Sequence, residues 1–235
     1  MGKIRKLASD TAYYGLSSII GRAVNFLLVP ILTSPGILSV GEYGEISLIY
    51  AKIAFLLIVY TFGLETAYFR FTSKSPEKEA QIFNNSLSFI LAISASITVL
   101  LFVFDTQVIE WIGLPGKENF IHLSAVIIAI DAIVAIPFAK LRYERKPRQF
   151  AFYKILSILV NVFFTVFFLY FCKSIYLGQF LENLKPIVGY LYNPAFNADY
   201  VLISNILANV LFIILLWKIF KNYRPVIDKV LLKSM

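Results

Sequence analysis

The chain has few of the residues that build catalytic and metal sites. Among its 235 residues there is one cysteine, Cys172, and one histidine, His122. A single cysteine excludes an internal disulfide framework and a metal site made of cysteine alone. A single histidine cannot form a metal cluster unaided, and the sequence shows neither a nucleophile paired with a base nor a nucleotide-binding glycine loop. We therefore expect no enzyme activity, no metal and no cofactor.

Charged residues are also scarce. They make up 15% of the chain, against about 25% in ordinary soluble proteins, while 59% of residues are hydrophobic and the mean hydropathy is +0.75. A soluble fold of this length could not hide so much apolar surface, so the composition indicates an integral membrane protein. The net charge of +8 would suggest nucleic acid as a partner of a soluble protein. Here the positive charges lie between hydrophobic runs, so we expect a topology signal and no nucleic-acid partner.

Long hydrophobic runs dominate what is present. A span needs about 20 mostly apolar residues to cross the hydrocarbon layer. The predicted spans are residues 11–32, 43–69, 84–104, 120–139, 150–172 and 200–220. Each should be helical, because backbone polar groups inside lipid must be satisfied within the segment. The predicted fold class is all-α: a polytopic membrane protein with a bundle of six transmembrane helices, forming one membrane domain over residues 1–235.

Lysine and arginine are distributed unevenly between the connections. The N-terminal segment and the second connection carry three each, and the fourth connection and the tail carry five each. The first, third and fifth connections carry none, one and two. Because positive residues favour the cytoplasmic side, this asymmetry predicts that both termini are cytoplasmic. We expect the first span to act as an uncleaved signal, since no cleavage site follows it.

The first span contains an arginine at its middle. A charge at this depth costs a few kcal/mol, so Arg22 should face protein or a water-filled cavity rather than lipid. At about 100° per residue, Tyr14, Ser18 and Asn25 fall on the same side of the helix as Arg22. We predict that this polar side lines a substrate cavity.

Three more charged residues within the predicted spans are candidates for a functional role. Lys52 lies roughly 13 Å into the second span, too deep to reach the surface comfortably, and would be a second cavity cation. Two cations in one bundle suggest an anionic ligand such as a phosphate group. Glu65 either pairs with a neighbouring base or takes part in ion coupling. Asp131 either titrates in ion coupling or neutralises Arg22 or Lys52.

Two asparagines lie one helical turn apart in the sixth span. Asn205 and Asn209 could donate hydrogen bonds to a sugar, and interhelical packing is an equally open interpretation. Lys154, one turn inside the fifth span, is expected to extend toward the membrane surface.

Three sequence stretches carry a family resemblance. The first helix TAYYGLSSIIGRAVNFLLVPILT, the entry GEYGEISLIYA and the exit GLETAYFRF together resemble polysaccharide (oligosaccharide) flippases. These are the O-antigen flippase-like branch of the multidrug/oligosaccharidyl-lipid/polysaccharide exporter superfamily. The resemblance covers most of the chain, is strongest over residues 3–71 and is weak over residues 173–199. Arg22 matches the basic residue that these transporters place in their first helix.

The resemblance implies a transport function. The substrate would be an undecaprenyl-pyrophosphate-linked oligosaccharide, flipped across the bacterial inner (plasma) membrane for surface polysaccharide such as lipopolysaccharide O-antigen. Transport would use alternating access around a cationic cavity between two six-helix lobes, driven by an ion gradient or by the lipid gradient. We expect the chain to be the N-terminal lobe, with a missing C-terminal lobe or a second copy as its partner. Membrane lipids, a polysaccharide polymerase and glycosyltransferases are the other expected partners.

Two alternatives stay open. A cation-coupled drug exporter of the same superfamily would have a more acidic and less cationic cavity. A non-transporting membrane scaffold of a polysaccharide assembly complex would tolerate the loss of Arg22 and Lys52.

Overall fold

The structure, a computed structural model, describes the backbone of residues 2–228 and 231–232. Within these ranges it describes side chains from residue 12 onward, except at positions 14, 17, 18 and 25. The described part is helical and contains no strand, which confirms the all-α class.

Eleven α-helices follow one another in the described part of the chain. They are α1 (Gly2–Leu32), α2 (Val40–Thr61), α3 (Leu64–Lys74), α4 (Glu79–Val103), α5 (Asp105–Ile112), α6 (Glu118–Tyr143), α7 (Pro147–Val166), α8 (Lys173–Tyr176), α9 (Lys185–Leu191), α10 (Asp199–Leu215) and α11 (Trp217–Phe220). A π-helical segment, Phe167–Cys172, joins α7 to α8.

Four helical stretches are long and apolar enough to cross a membrane. They are Val40–Lys74, Pro76–Val103, Glu118–Tyr143 and Pro147–Tyr176. The segments Ile19–Leu32 and Asp199–Leu215 are shorter apolar helices, and they overlap the first and the sixth predicted span. The structure therefore supports a membrane protein with four candidate spans among its described residues. The count of six spans and the cytoplasmic position of both termini stay predictions.

The segment predicted as one helix over residues 43–69 is broken. Helix α2 ends at Thr61, and α3 starts at Leu64. Between them Phe62 and Gly63 adopt left-handed backbone conformations, with φ angles of 51° and 70°. Glycine takes this conformation without steric cost, whereas a bulky residue rarely does. The break therefore separates α2 from the short helix α3, which carries Glu65.

Helix α6 forms the centre of the bundle. It packs against α2, α4 and α10, while α1 and α10 pack on α7. Ile128 and Ile136 of α6 are completely buried, as is Leu87 of α4. Large apolar side chains point outward elsewhere, such as Phe26 and Phe55, which are 74% and 68% exposed. This apolar exterior suits contact with lipid acyl chains.

Helix α5 lies in the connection between the third and fourth predicted spans, residues 105–119. Ile109 on one side is fully buried, whereas Trp111 is 80% exposed. Gly113 ends the helix in the left-handed conformation, with φ 89°. An exposed tryptophan beside an apolar bundle is typical of the membrane–water interface.

Candidate functional site

A cavity of about 250 Å³ lies between α1, α2, α7 and α10. Its apolar lining comes from Leu28, Val29, Leu32, Ile46 and Val201. Its polar lining comes from Tyr43, Ser47, Tyr50, Asn161, Thr165 and Asn205. All of these polar groups are neutral hydrogen-bonding groups, so the cavity suits an uncharged polar ligand better than an ion.

Hydrogen bonds across the helices hold this polar wall in place. The side-chain amide of Asn205 donates to the hydroxyl of Tyr50 at 3.1 Å, which ties α10 to α2. The Thr165 hydroxyl donates to the side-chain oxygen of Asn161 at 3.2 Å within α7. Together these groups present both donors and acceptors, the combination that sugar hydroxyls require.

One end of the cavity adjoins a polar network from three segments. The Lys173 amine donates to the backbone carbonyl of Ile37 at 2.8 Å and to the side-chain oxygen of Asn197 at 3.1 Å. The Asn197 amide donates in turn to Glu42 at 2.9 Å. Glu42 directly precedes the lining residue Tyr43, so the network fastens the segments next to the cavity.

The α7 wall changes its winding beside the cavity. The π-helical segment Phe167–Cys172 starts two residues after the lining residue Thr165. Such segments leave a wider turn than an α-helix and occur frequently at functional sites. Irregular backbone at this depth is tolerated where it is buried in protein or lines a cavity.

A charged cluster lies next to the cavity in the same bundle. The Lys154 amine of α7 lies over two phenyl rings, 4.5 Å from the centroid of Phe138 and 4.8 Å from that of Phe212. Asp131 of α6 interacts electrostatically with Lys154 and with the cavity residue Tyr50. The Lys154 amine is therefore held inside the bundle rather than extended toward its surface. The cation near Asp131 is therefore Lys154, whereas the sequence suggested Arg22 or Lys52.

The two asparagines of the sixth span have different surroundings. Asn205 lines the cavity and bonds to Tyr50. Asn209 is 5% exposed, and its side-chain amide lies beside the Asp131 carboxylate. Both asparagines therefore belong to one polar column that runs along α10.

The two predicted cavity cations do not meet at this cavity. Arg22 is exposed on α1 and precedes the lining residue Val29 by seven residues. It therefore lies on the same side of α1, about 10 Å away along the axis. Lys52 lies about 200° around α2 from Tyr50, and its amine is 5.2 Å from the centroid of Trp111. Their assignment to a substrate cavity stays a prediction.

The remaining predicted site residues fall into two groups. The side chains of Tyr14, Ser18 and Asn25 lie outside the part of the chain that the structure describes. Glu65 forms an ion pair with Arg142 of α6, as the pairing interpretation expects. Ion coupling by Glu65 and by Asp131 is untested.

Sequence reasoning missed several lining residues. Tyr43, Ser47 and Tyr50 recur at intervals of four and three residues along α2, and Asn161 and Thr165 are four apart on α7. This spacing puts polar groups on one face of an otherwise apolar helix, and it would have indicated the cavity. Among the described residues, no group of three or more His, Cys, Asp or Glu could hold a metal ion.

The fold and the cavity define a helical membrane protein with a neutral polar site between its helices. The model of a family described as "Polysaccharide biosynthesis protein" matches residues 36–192. This range runs from just before α2 through α9 and covers well over half of the chain. The chain therefore belongs to the polysaccharide biosynthesis protein family and has a role in polysaccharide synthesis or export. No curated protein and no solved structure matches it.

Proposed function

We propose that this chain forms one lobe of a transporter that flips an undecaprenyl-pyrophosphate-linked oligosaccharide across the bacterial inner membrane by alternating access. The observation that carries the proposal is the neutral polar cavity between α1, α2, α7 and α10. Polar groups are costly in lipid, and those around this open space keep donors and acceptors beyond the hydrogen bonds that they make to one another. A sugar would satisfy them, because each hydroxyl both donates and accepts.

Arg22 fits the pyrophosphate of the same substrate. Its guanidinium can bind a phosphate group through two parallel hydrogen bonds. It lies on the cavity side of α1, so a sugar near Tyr50 would leave the phosphates within reach of this arginine. Since Arg22 is exposed in this lobe, a second lobe or a second copy packed against α1 would enclose it.

Asp131 is the proposed site of ion coupling. Its carboxylate interacts electrostatically with Lys154 and with Tyr50, so a change in its charge would reach both the cavity and α7. Asp131→Asn should then remove the dependence of transport on the coupling ion. If transport by this variant depends on a pH or sodium gradient as strongly as transport by the wild type does, Asp131 takes no part in ion coupling.

The test is surface polysaccharide in cells that carry Arg22→Ala together with Lys52→Ala. The double variant should lose surface polysaccharide and accumulate lipid-linked oligosaccharide at normal protein levels. Arg70→Ala together with Lys74→Ala is the matched control, because both residues are exposed basic groups on α3. The control should export normally.

Each alternative makes a different prediction in the same experiment. Normal surface polysaccharide in the Arg22/Lys52 double variant would contradict the cavity assignment and favour the scaffold. Normal polysaccharide with increased sensitivity to exported drugs would favour the drug exporter. Against the drug exporter stands the lining of the described cavity, which includes no acidic residue.

A further inference from the structure

A second pocket lies at the end of the bundle that carries the densest basic run. It has a volume of about 230 Å³ and is enclosed by the start of α4, the turn between α6 and α7, and the residues around α11. Its lining consists of Ala80, Phe83, Asn84, Lys140, Glu144, Lys146, Lys218, Ile219 and Asn222. This pocket lies by the start of α7 and the end of α10, whereas Lys173 follows the far end of α7 and Asp199 starts α10, so the two sites are separate.

The pocket carries excess positive charge. Three of its lining residues are lysines and one is a glutamate. Lys140 bonds to Glu79 at 2.6 Å, and Glu144 bonds to Lys146 at 2.6 Å. Lys218 forms no ion pair among the described residues, so one positive charge is left over even when Glu79 is counted.

The geometry positions these charges around an apolar floor. Phe83 is 4% exposed, and the Lys140 amine lies 5.1 Å from the centroid of its ring. Burial by itself raises the pKa of Glu144. The neighbouring Lys146 and Lys140 outweigh this effect and hold the pKa of Glu144 below its ordinary value. Glu144 is therefore ionised at neutral pH and forms an ion pair with each of the two lysines.

The pocket lies at the ends of helices that are long enough to cross a membrane, beside an exposed tryptophan. Trp217 is next to Lys218 and is 62% exposed, and tryptophan concentrates at the membrane–water interface. The apolar floor continues into the bundle, whereas the lysines lie at the helix ends. An amphiphile with an anionic phosphate therefore matches the pocket, with the phosphate at the lysines and the glycerol or acyl region on the floor.

We infer that this pocket binds the phosphate of an anionic lipid, with Lys218 and Lys146 as the principal contacts and the amides of Asn84 and Asn222 as further donors. This site is independent of the proposed transport cavity, because it shares no residue with that cavity. Binding there would fix the position of α11 and the α6–α7 turn in the membrane surface.

The experiment is native mass spectrometry of the purified full chain in detergent, titrated with phosphatidylglycerol or with phosphatidylcholine. Phosphatidylglycerol should bind at least tenfold more tightly, because the choline cation would meet the lysines. Lys218→Gln should weaken binding of phosphatidylglycerol about fivefold. Lys185→Gln, which removes an exposed lysine of α9 at the other end of the bundle, is the matched control and should leave it unchanged.

A second variant separates a binding site from general surface charge. Glu144→Gln should strengthen binding of phosphatidylglycerol, because the acidic group of the pocket is lost, while Glu182→Gln, at the far end, should not. Competition then distinguishes the sources: displacement of the lipid by millimolar pyrophosphate assigns the site to phosphate as such, and resistance to it assigns the site to a complete lipid headgroup. Equal binding of the two lipids, or equal effects of Lys218→Gln and Lys185→Gln, would overturn the inference.

Discussion

The hydrogen bond between Tyr50 and Asn205 provides a sharp test of the cavity. Tyr50→Phe keeps the ring and removes only the hydroxyl that accepts the Asn205 amide at 3.1 Å. Hydrogen bonds between membrane helices contribute about 0.6 kcal/mol on average. The folding equilibrium of the variant should therefore change by only about threefold.

Transport should suffer more than folding if this hydroxyl also contacts the sugar. A hydrogen bond to a neutral partner contributes about 1 kcal/mol, which corresponds to about a fivefold loss of substrate affinity. The assay is translocation of lipid-linked oligosaccharide at subsaturating concentration in vesicles containing protein purified from its own membrane. Folding would be followed in parallel by denaturation in mixed detergent.

Tyr60→Phe is the matched control on the same helix. Tyr60 is fully buried, and its hydroxyl lies 3.2 Å from that of Thr98, away from the cavity. The control should lose a similar amount of folding free energy and keep normal transport. Equal transport in the two variants, whether reduced or normal, would refute the assignment of Tyr50 to the substrate site.

Three further predictions concern other parts of the chain. Arg22→Ala should lower surface polysaccharide more than Lys52→Ala at matched protein levels, because Arg22 is on the cavity side of its helix; the reverse order would contradict this placement. Leu87→Ala should lower the free energy of unfolding by about 2–5 kcal/mol, since this side chain is completely buried; a denaturation midpoint like that of the wild type would show a looser core. The hydrogen bonds from His122, at 2.7 Å, and from the Thr106 amide lower the pKa of Asp105. The ionised Asp105 therefore stabilises the folded protein above the unfolded-state pKa, and this contribution is lost as the pH falls through the folded-state pKa. Asp105→Asn should thus lose less thermal stability than the wild type between about pH 5 and pH 2, and equal losses would contradict the shift.

Most of the long helices could be predicted from the sequence, because the length of an apolar run indicates a membrane-spanning helix. The span predicted at 120–139 lies within α6, and the span predicted at 84–104 matches α4 except for its last residue; both helices start a few residues earlier than predicted. The break at Phe62 and Gly63 could not be predicted from the sequence. Glycine is common inside membrane helices, and nothing local requires Phe62 to adopt a left-handed conformation.

The candidate site was less predictable because it forms between distant parts of the chain. Tyr50 and Asn205 meet across 155 positions, and a single sequence contains no record of such a pairing. The surroundings of Lys154 have the same origin, since its two phenyl rings come from α6 and α10. Periodicity therefore indicates which face of a helix is polar, but it does not indicate which faces meet.

Translocation of the substrate itself is the most direct test of the proposed transport. Vesicles with and without the purified protein would receive a labelled undecaprenyl-pyrophosphate-linked oligosaccharide, and membrane-impermeant periodate would report the sugars exposed on the outside. The proposal predicts that the protein raises the oxidised fraction above that of protein-free vesicles, and that Arg22→Ala reduces this gain. An oxidised fraction equal to that of protein-free vesicles, with folded protein in the membrane and a second lobe or copy present, would contradict it.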